Sequence, residues 1–264
     1  MRTSGKYLLK RLMGDFKAMF FPRTCRICHE PLVEGEQLLC LHCIREIPVT
    51  RFDAPGLNPL EHKIADPAVP IAGAASFFFY THTSPYASLI RDAKYNNQPE
   101  IDALLARIFA EQLQPYGFFD GVDLIVPVPI HWFKRVKRGY NQGDFIAQGV
   151  SEVIGAPVAD DLLRARAHAP QAKKSGRERR LSADSVFSIE PKSLPEPINR
   201  PLPAKRQPDN PNMFPEPVAA YPAHILLVDD VITTGATILR CAALLHSAFP
   251  LARLSILSLA TTPL

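Results

Sequence analysis

The stretch His224–Arg240, HILLVDDVITTGATILR, decides the fold. Its apolar run reads as a buried strand, followed by two adjacent aspartates, a threonine-rich loop of small residues and a helical pattern. In open parallel sheets, ligands bind beyond the carboxyl ends of the strands. Asp229 and Asp230 stand at such an end. The loop Thr233, Thr234, Gly235, Ala236 and Thr237 suits a phosphate: glycine admits close backbone approach, successive amides converge, and a helix N-terminus favours an anion. Three threonine hydroxyls add donors. The lysine-bearing phosphate loop G-x-x-x-x-G-K-[ST] is absent, so the cup is of another kind. One sugar away, the two carboxylates are suited to accept hydrogen bonds from ribose hydroxyls and to stabilise positive charge developing on the sugar carbon. They are the candidate catalytic residues, and the unit as a whole implies a ribose 5-phosphate ligand. Adjacent strand residues point to opposite faces, so one of the two aspartates is expected at the ligand. The competing reading is a capped helix with no ligand.

Working outward, strands alternate with helices. A strand is expected over 72–80 (AGAASFFFY), two helices separated by a break at Asn96–Pro99, and a buried strand over 122–130 (VDLIVPVPI). A basic, aromatic segment HWFKRVKRGYNQ follows, then a helix closed by Gly155, a short extended piece APVAD, the basic run 164–180 and a last strand RLSILSLATT. This alternation predicts an α/β fold with a mostly parallel sheet flanked by helices over 72–264. Residues 48–70 read as an irregular connector. From 188 to 222 the composition shifts to ten prolines without periodicity, which predicts an unstructured or polyproline-like insertion between two strands. A proline-rich ligand for a partner domain is the alternative reading of that stretch.

Four of the five cysteines fall between Cys25 and Cys43. Cys25/Cys28 and Cys40/Cys43 are each C-x-x-C pairs with eleven residues between them, the spacing of two knuckles that present four thiolates to one zinc. A module this small (22–47) needs such a metal for its stability. With four thiolates in place no open position remains, so the zinc is expected to be structural. His29 and His42 are read as bystanders, and Cys241 as a core thiol. Residues 1–21 carry Leu8, Leu9, Leu12, Phe16 and Phe20 at helical spacing, an amphipathic helix whose apolar stripe is expected to pack on the body, the alternatives being a membrane surface or a partner.

Composition bounds the rest. Hydrophobic residues make up 47% of the 264, enough for a real core, and a net charge of +4 is too mild to diagnose a nucleic-acid binder by itself. No secretory signal and no run of about 18 apolar residues is found, so a cytoplasmic location is expected and no membrane span. The basic run 164–180, with Trp132 and Phe133 as stacking groups, leaves direct nucleic-acid contact open.

ILLVDDVITTGAT resembles the phosphoribosyl-diphosphate (PRPP) motif of type I phosphoribosyltransferases. Together with the four-cysteine knuckle, RDAKY, DLIVPVP, KRGYNQ and PQAKKSGRERR…VF, in that order, the chain is similar to the ComF family of competence-protein and GntX-like phosphoribosyltransferase homologues. The resemblance runs from about Phe21 to the C-terminus, interrupted by the proline-rich insertion. It implies that Asp229 and Asp230 hold the ribose hydroxyls and that Thr233–Thr237 hold the 5-phosphate. The turn Val126–Pro129, with Pro127 and Val128, would approximate the pyrophosphate loop. Lys94 and Arg138 would contact diphosphate or Mg²⁺-linked oxygens, and Gln171 and Arg179 would lie on a mobile loop closing over the site. Ser182 stands where the family carries an asparagine. The implied activity is transfer of the phosphoribosyl group to an acceptor with release of pyrophosphate, in a cell biology of DNA uptake. The competing classes are a PRPP- or nucleotide-sensing scaffold acting with DNA-processing proteins, and a DNA-binding competence factor.

Overall fold

A computed structural model describes residues 23–51, 58–130, 132–165, 187–190 and 222–263. The expected N-terminal helix, Gln171, Arg179, Ser182 and the interior of the proline-rich stretch lie outside these residues.

Four strands form the central sheet: β1 (Gly73–Phe79), β2 (Leu124–Pro127), β5 (His224–Ile232) and β6 (Arg253–Thr261), in the order β1-β6-β5-β2. Every pairing among them is parallel, with Leu226 opposite Ser255 and Leu124 opposite Ile225. The expected α/β fold with a parallel sheet is thus observed. Two short strands, β3 (Leu163–Ala165) and β4 (Phe187–Ile189), pair antiparallel in a separate ribbon. β4 takes Ser188 and Ile189, the first residues of the proline-rich stretch.

Both faces of the sheet are buried, which is why its strands read as nearly continuous apolar runs. Along β5, Leu226 and Val228 join one core while Ile225 and Leu227 join the other. The first core receives α3 (Tyr86–Tyr95), α4 (Glu100–Leu113) and α6 (Gln142–Ile154), through side chains such as Leu89, Leu105, Phe109, Ile146 and Val150. Phe77 of β1 stacks on Phe109 at 4.8 Å between ring centroids. The second core receives α7 (Ala236–Ala248), through Ile238, Cys241 and Leu245. Cys241 is fully buried there, as expected of a core thiol.

Two segments have more structure than the sequence suggested. The connector contains α2 (Pro59–Lys63), started by a capping box in which Asn58 and Glu61 satisfy each other's backbone amides. The basic segment is a short helix, α5 (Trp132–Arg138), since no glycine or proline interrupts it before Gly139, which ends it at φ 85°.

The cysteine module is mounted on the same core. A hairpin bridge joins Thr24 to Pro31, and a short helix α1 (Leu41–Arg45) carries Cys43. Cys25, Leu39, Cys43 and Ile47 are buried in the core of α3 and α4, and the Tyr86 hydroxyl donates to the Cys43 carbonyl at 2.8 Å. The chain leaving the module covers the free edge of β1: Val49 bridges Phe78 antiparallel, and the Thr50 amide donates to the Phe77 carbonyl at 3.0 Å. An exposed strand edge is thereby closed. No helix among the described residues is long and apolar enough to cross a membrane.

Candidate functional site and cysteine centre

The carboxyl ends of β2 and β5 and the N-termini of α6 and α7 converge on one cleft of about 310 Å³. It is lined by Lys94, Val128, Arg138, Asp229, Asp230 and Thr237, drawn from five separate stretches of the chain, with Lys134, Asn141 and Gln142 alongside. A smaller cavity of about 40 Å³ lies next to it, formed by the loop Thr233–Thr237. The two share Asp229, Val231 and Thr237.

The loop owes its shape to Gly235. Its φ is 78°, in the left-handed region, and a Cβ there would come within 2.8 Å of Ile64 Cγ2. Glycine alone meets both conditions. The Thr234 hydroxyl accepts from the Ala236 amide at 3.4 Å, a local turn that opens α7.

Both aspartates line the cleft, although adjacent strand residues point to opposite faces. The reason is local. The Asp230 amide donates to Asp229 Oδ1 at 2.9 Å and the Val231 amide to Asp230 Oδ1 at 2.6 Å, so each carboxylate folds forward along its own backbone. Asp230 Oδ2 meets Lys94 Nζ at 2.7 Å. The carboxyl of Asp229 has a raised pKa of about 8; its deep setting is the main cause and the charge of Asp230 the second, with Lys94 opposing both.

Pro127 does not line the cleft. It ends β2 and supports the turn from beneath: a Cβ on Gly143 would meet Pro127 Cβ at 3.0 Å and the Val128 carbonyl at 3.1 Å. The turn is held by Asn141, whose Nδ2 donates to the Val128 carbonyl at 3.1 Å and to Asp144 Oδ1 at 2.7 Å. Arg138 Nη1 donates to Gln142 Oε1 at 2.6 Å, and its guanidinium lies 5.3 Å from the centre of the Tyr95 ring.

Asn141 and Gln142 stand inside RGYNQ but carry no expected role from the sequence, and neither does Asp102. That aspartate is fully buried on α4, with Oδ2 accepting from Gln142 Nε2 at 3.3 Å. Burial, and then the charge of Asp230, raise its pKa well above the usual carboxylate range. In EIDALL it looks like an ordinary acid in the first turn of a helix, so nothing local singles it out.

The ligating sulfurs of Cys25, Cys28, Cys40 and Cys43 lie within 4.8 Å of one another. His29 and His42 are not among them. The Cys25 sulfur accepts from the amides of Ile27 at 3.5 Å and Cys40 at 3.4 Å, and the Cys40 sulfur from the Cys43 amide at 3.4 Å. Burial works against ionisation of Cys25, but backbone donors, that of Cys28 first and then those of Cys40 and Ile27, bring its pKa down to about 6. Burial and the neighbouring thiols raise Cys43. Four crowded thiols cannot all ionise without a cation among them, and four sulfurs at this spacing fit structural zinc. No other metal-ligating group of three or more side chains occurs among the described residues.

No protein-family profile matches the chain. Curated relatives do. A Salmonella typhimurium protein called DNA utilization protein YhgH is 26% identical over 238 residues, covering 85% of this chain and 91% of the relative. The protein of the same name from Escherichia coli K12 is 26% identical over 235 residues. Competence protein F of Haemophilus influenzae is 28% identical over 169 residues, 62% of this chain and 63% of that protein. Set beside the four-cysteine centre, these matches bear out the resemblance drawn from the motifs: the chain is a homologue, over most of its length, of proteins named DNA utilization protein YhgH and competence protein F.

Proposed function

We propose that the cleft binds PRPP or a closely related ribose 5-phosphate ligand, and that the protein serves DNA uptake or DNA use. One observation carries the ligand: a small cup formed by the threonine loop and a larger cation-rimmed cleft meet at Asp229, with Asp230 beside it in the cleft. The 5-phosphate takes the Thr233–Thr237 cup and the ribose hydroxyls take Asp229 and Asp230. The diphosphate faces Lys94, Arg138 and the Val128 turn. Mg²⁺ would be held between the diphosphate oxygens and the carboxylates of Asp229 and Asp230, both hard oxygen ligands. In phosphoribosyl transfer, the bond from the sugar carbon to the diphosphate oxygen breaks and a bond to the acceptor forms. The carboxylates would steady the cationic sugar between those events. The relatives' names supply the DNA-related setting.

Calorimetric titration of Mg²⁺–PRPP into the wild type and into the Asp230→Asn, Thr234→Ala variant tests this reading. Saturable binding lost in the variant is expected. Absence of heat from a folded, zinc-loaded wild type would overturn the ligand assignment. Release of pyrophosphate during an acceptor screen separates a transferase from a sensor that only binds.

A second reading has its own support. Phe133 and Val136 are 60% and 75% exposed on α5, among Lys134, Arg135 and Lys137, beside the cleft. Such a surface suits single-stranded DNA, and its affinity would fall steeply with salt. Trp132 begins the same helix, but its side chain lies outside the described residues.

A further inference from the structure

Asp102 is the least explained polar group near the cleft. Its carboxyl is fully buried, it does not line the cleft, and its Oδ1 has no hydrogen-bond partner among the described residues. A buried carboxyl with one oxygen unpaired is costly, so its retention calls for a reason. Gln142, 1% exposed at the start of α6, connects it to the site. The Gln142 amide has one donor end and one acceptor end, and Asp102 Oδ2 takes the donor end. The carbonyl end is thereby turned toward Arg138, whose Nη1 it receives at 2.6 Å. Without an acceptor at position 102 the amide is free to turn over and would present hydrogens to a guanidinium, which is repulsive. The mounting is rigid, because α4 and α6 touch backbone to backbone where a Cβ on Gly149 would fall 2.3 Å from the Ala103 carbonyl oxygen.

The arrangement also preserves charge. A carboxylate bonded directly to Arg138 would neutralise it. An amide placed between them fixes the guanidinium while leaving its charge for an anion in the cleft. The Tyr95 ring limits the guanidinium on another side.

We propose that Asp102 is a positioning residue for anion recognition: acting through Gln142, it holds Arg138 at the cleft with its charge uncompensated. The proposal rests on the reading of the cleft as a phosphoribosyl-diphosphate site, and it extends that reading to a residue that never touches the ligand.

The test uses Asp102→Leu, Asp102→Asn, Gln142→Leu and Arg138→Ala in the full chain, with Mg²⁺–PRPP as the probe. Asp102→Leu removes the acceptor and is expected to weaken binding about tenfold, the loss of one hydrogen bond to a charged group. Asp102→Asn keeps a carbonyl for Gln142 and is expected to restore most of the affinity. With Arg138→Ala already in place, Asp102→Leu should weaken binding no further. A tenfold loss that persists on top of Arg138→Ala, or an equal loss in Asp102→Asn, would overturn the proposal in favour of a purely structural role. A second measurement needs no ligand. The Arg138 side-chain Nε–H resonance, identified by its loss in Arg138→Ala, should shift in Asp102→Leu and Gln142→Leu and stay in place in Asp102→Asn. A resonance unmoved in Asp102→Leu overturns the positioning role whether or not PRPP binds. If the wild type binds no PRPP and the resonance still shifts as expected, the ligand reading fails while the Asp102–Gln142–Arg138 relay stands.

Discussion

Asp229 carries the clearest consequence at the scale of a single residue. Its pKa in the fold, about 8, lies above the ordinary 3.8 it regains on unfolding. Between those values the folded state holds a proton that the unfolded chain releases, so this group's contribution to stability falls as pH rises from about 4 to 8. Ribose hydroxyls and an incoming Mg²⁺ both favour the ionised carboxylate. Binding of Mg²⁺–PRPP near pH 7 is therefore expected to expel a proton and to tighten as pH rises from 6 to 8. Calorimetry in two buffers of different ionisation heat checks this, and equal apparent enthalpies in both would contradict it. Gly235 offers a second case. Gly235→Ala must place a Cβ at φ 78° and against Ile64, which should lower stability by about 1–3 kcal/mol. Phosphate-dependent affinity should fall with it, and denaturant melts beside titrations would report both.

Among the elements, α4 and α6 fix the site more than any loop does. Their contact at Gly149 and Ala103 sets the distance between Asp102 and Gln142, and the start of α6 supports the Val128 turn through Asn141 and Gly143. Gly149→Ala must push the two helices apart. A loss of about 1–3 kcal/mol is expected, with weaker ligand binding although the residue is remote from the cleft. Thermal melts and titrations on the same sample would check the pair of effects; an unchanged melting temperature would mean that the helices yield freely. The pairing of Asp230 with Lys94 joins β5 to α3 in the same way. Ligand hydroxyls at Asp230 would compete for that carboxylate, leaving Lys94 available to the diphosphate.

For the molecule as a whole, the cysteine centre and the sheet share one core. Cys25 and Cys43 lie in the same core as Phe77, Leu89 and Phe109, and residues 48–50 close the edge of β1. Removing the metal with a strong chelator is therefore expected to lower the melting temperature of the entire domain rather than to produce a separate early transition. Scanning calorimetry before and after chelation distinguishes the two, and a main transition unmoved by chelation would show that the module is an independent appendage.

Much of this was legible in the chain itself. Two-sided burial makes the strands of a parallel sheet apolar throughout, so LLV before DD and LIV before PVP announced their positions directly. The cysteine spacing and the T-T-G-A-T loop were equally local, because a knuckle and a turn into a helix are each built from neighbouring residues. What the sequence could not supply is which distant side chains meet. Asp102 and Gln142 are forty positions apart and neither belongs to a local pattern; only the crossing of α4 and α6 brings them to 3.3 Å. Likewise the forward fold of Asp229 and Asp230 depends on their own backbone amides, which a strand's alternation does not foretell. Tertiary packing decided those contacts, because the burial that raises an aspartate's pKa or fixes an amide's orientation comes from elements far away in the chain.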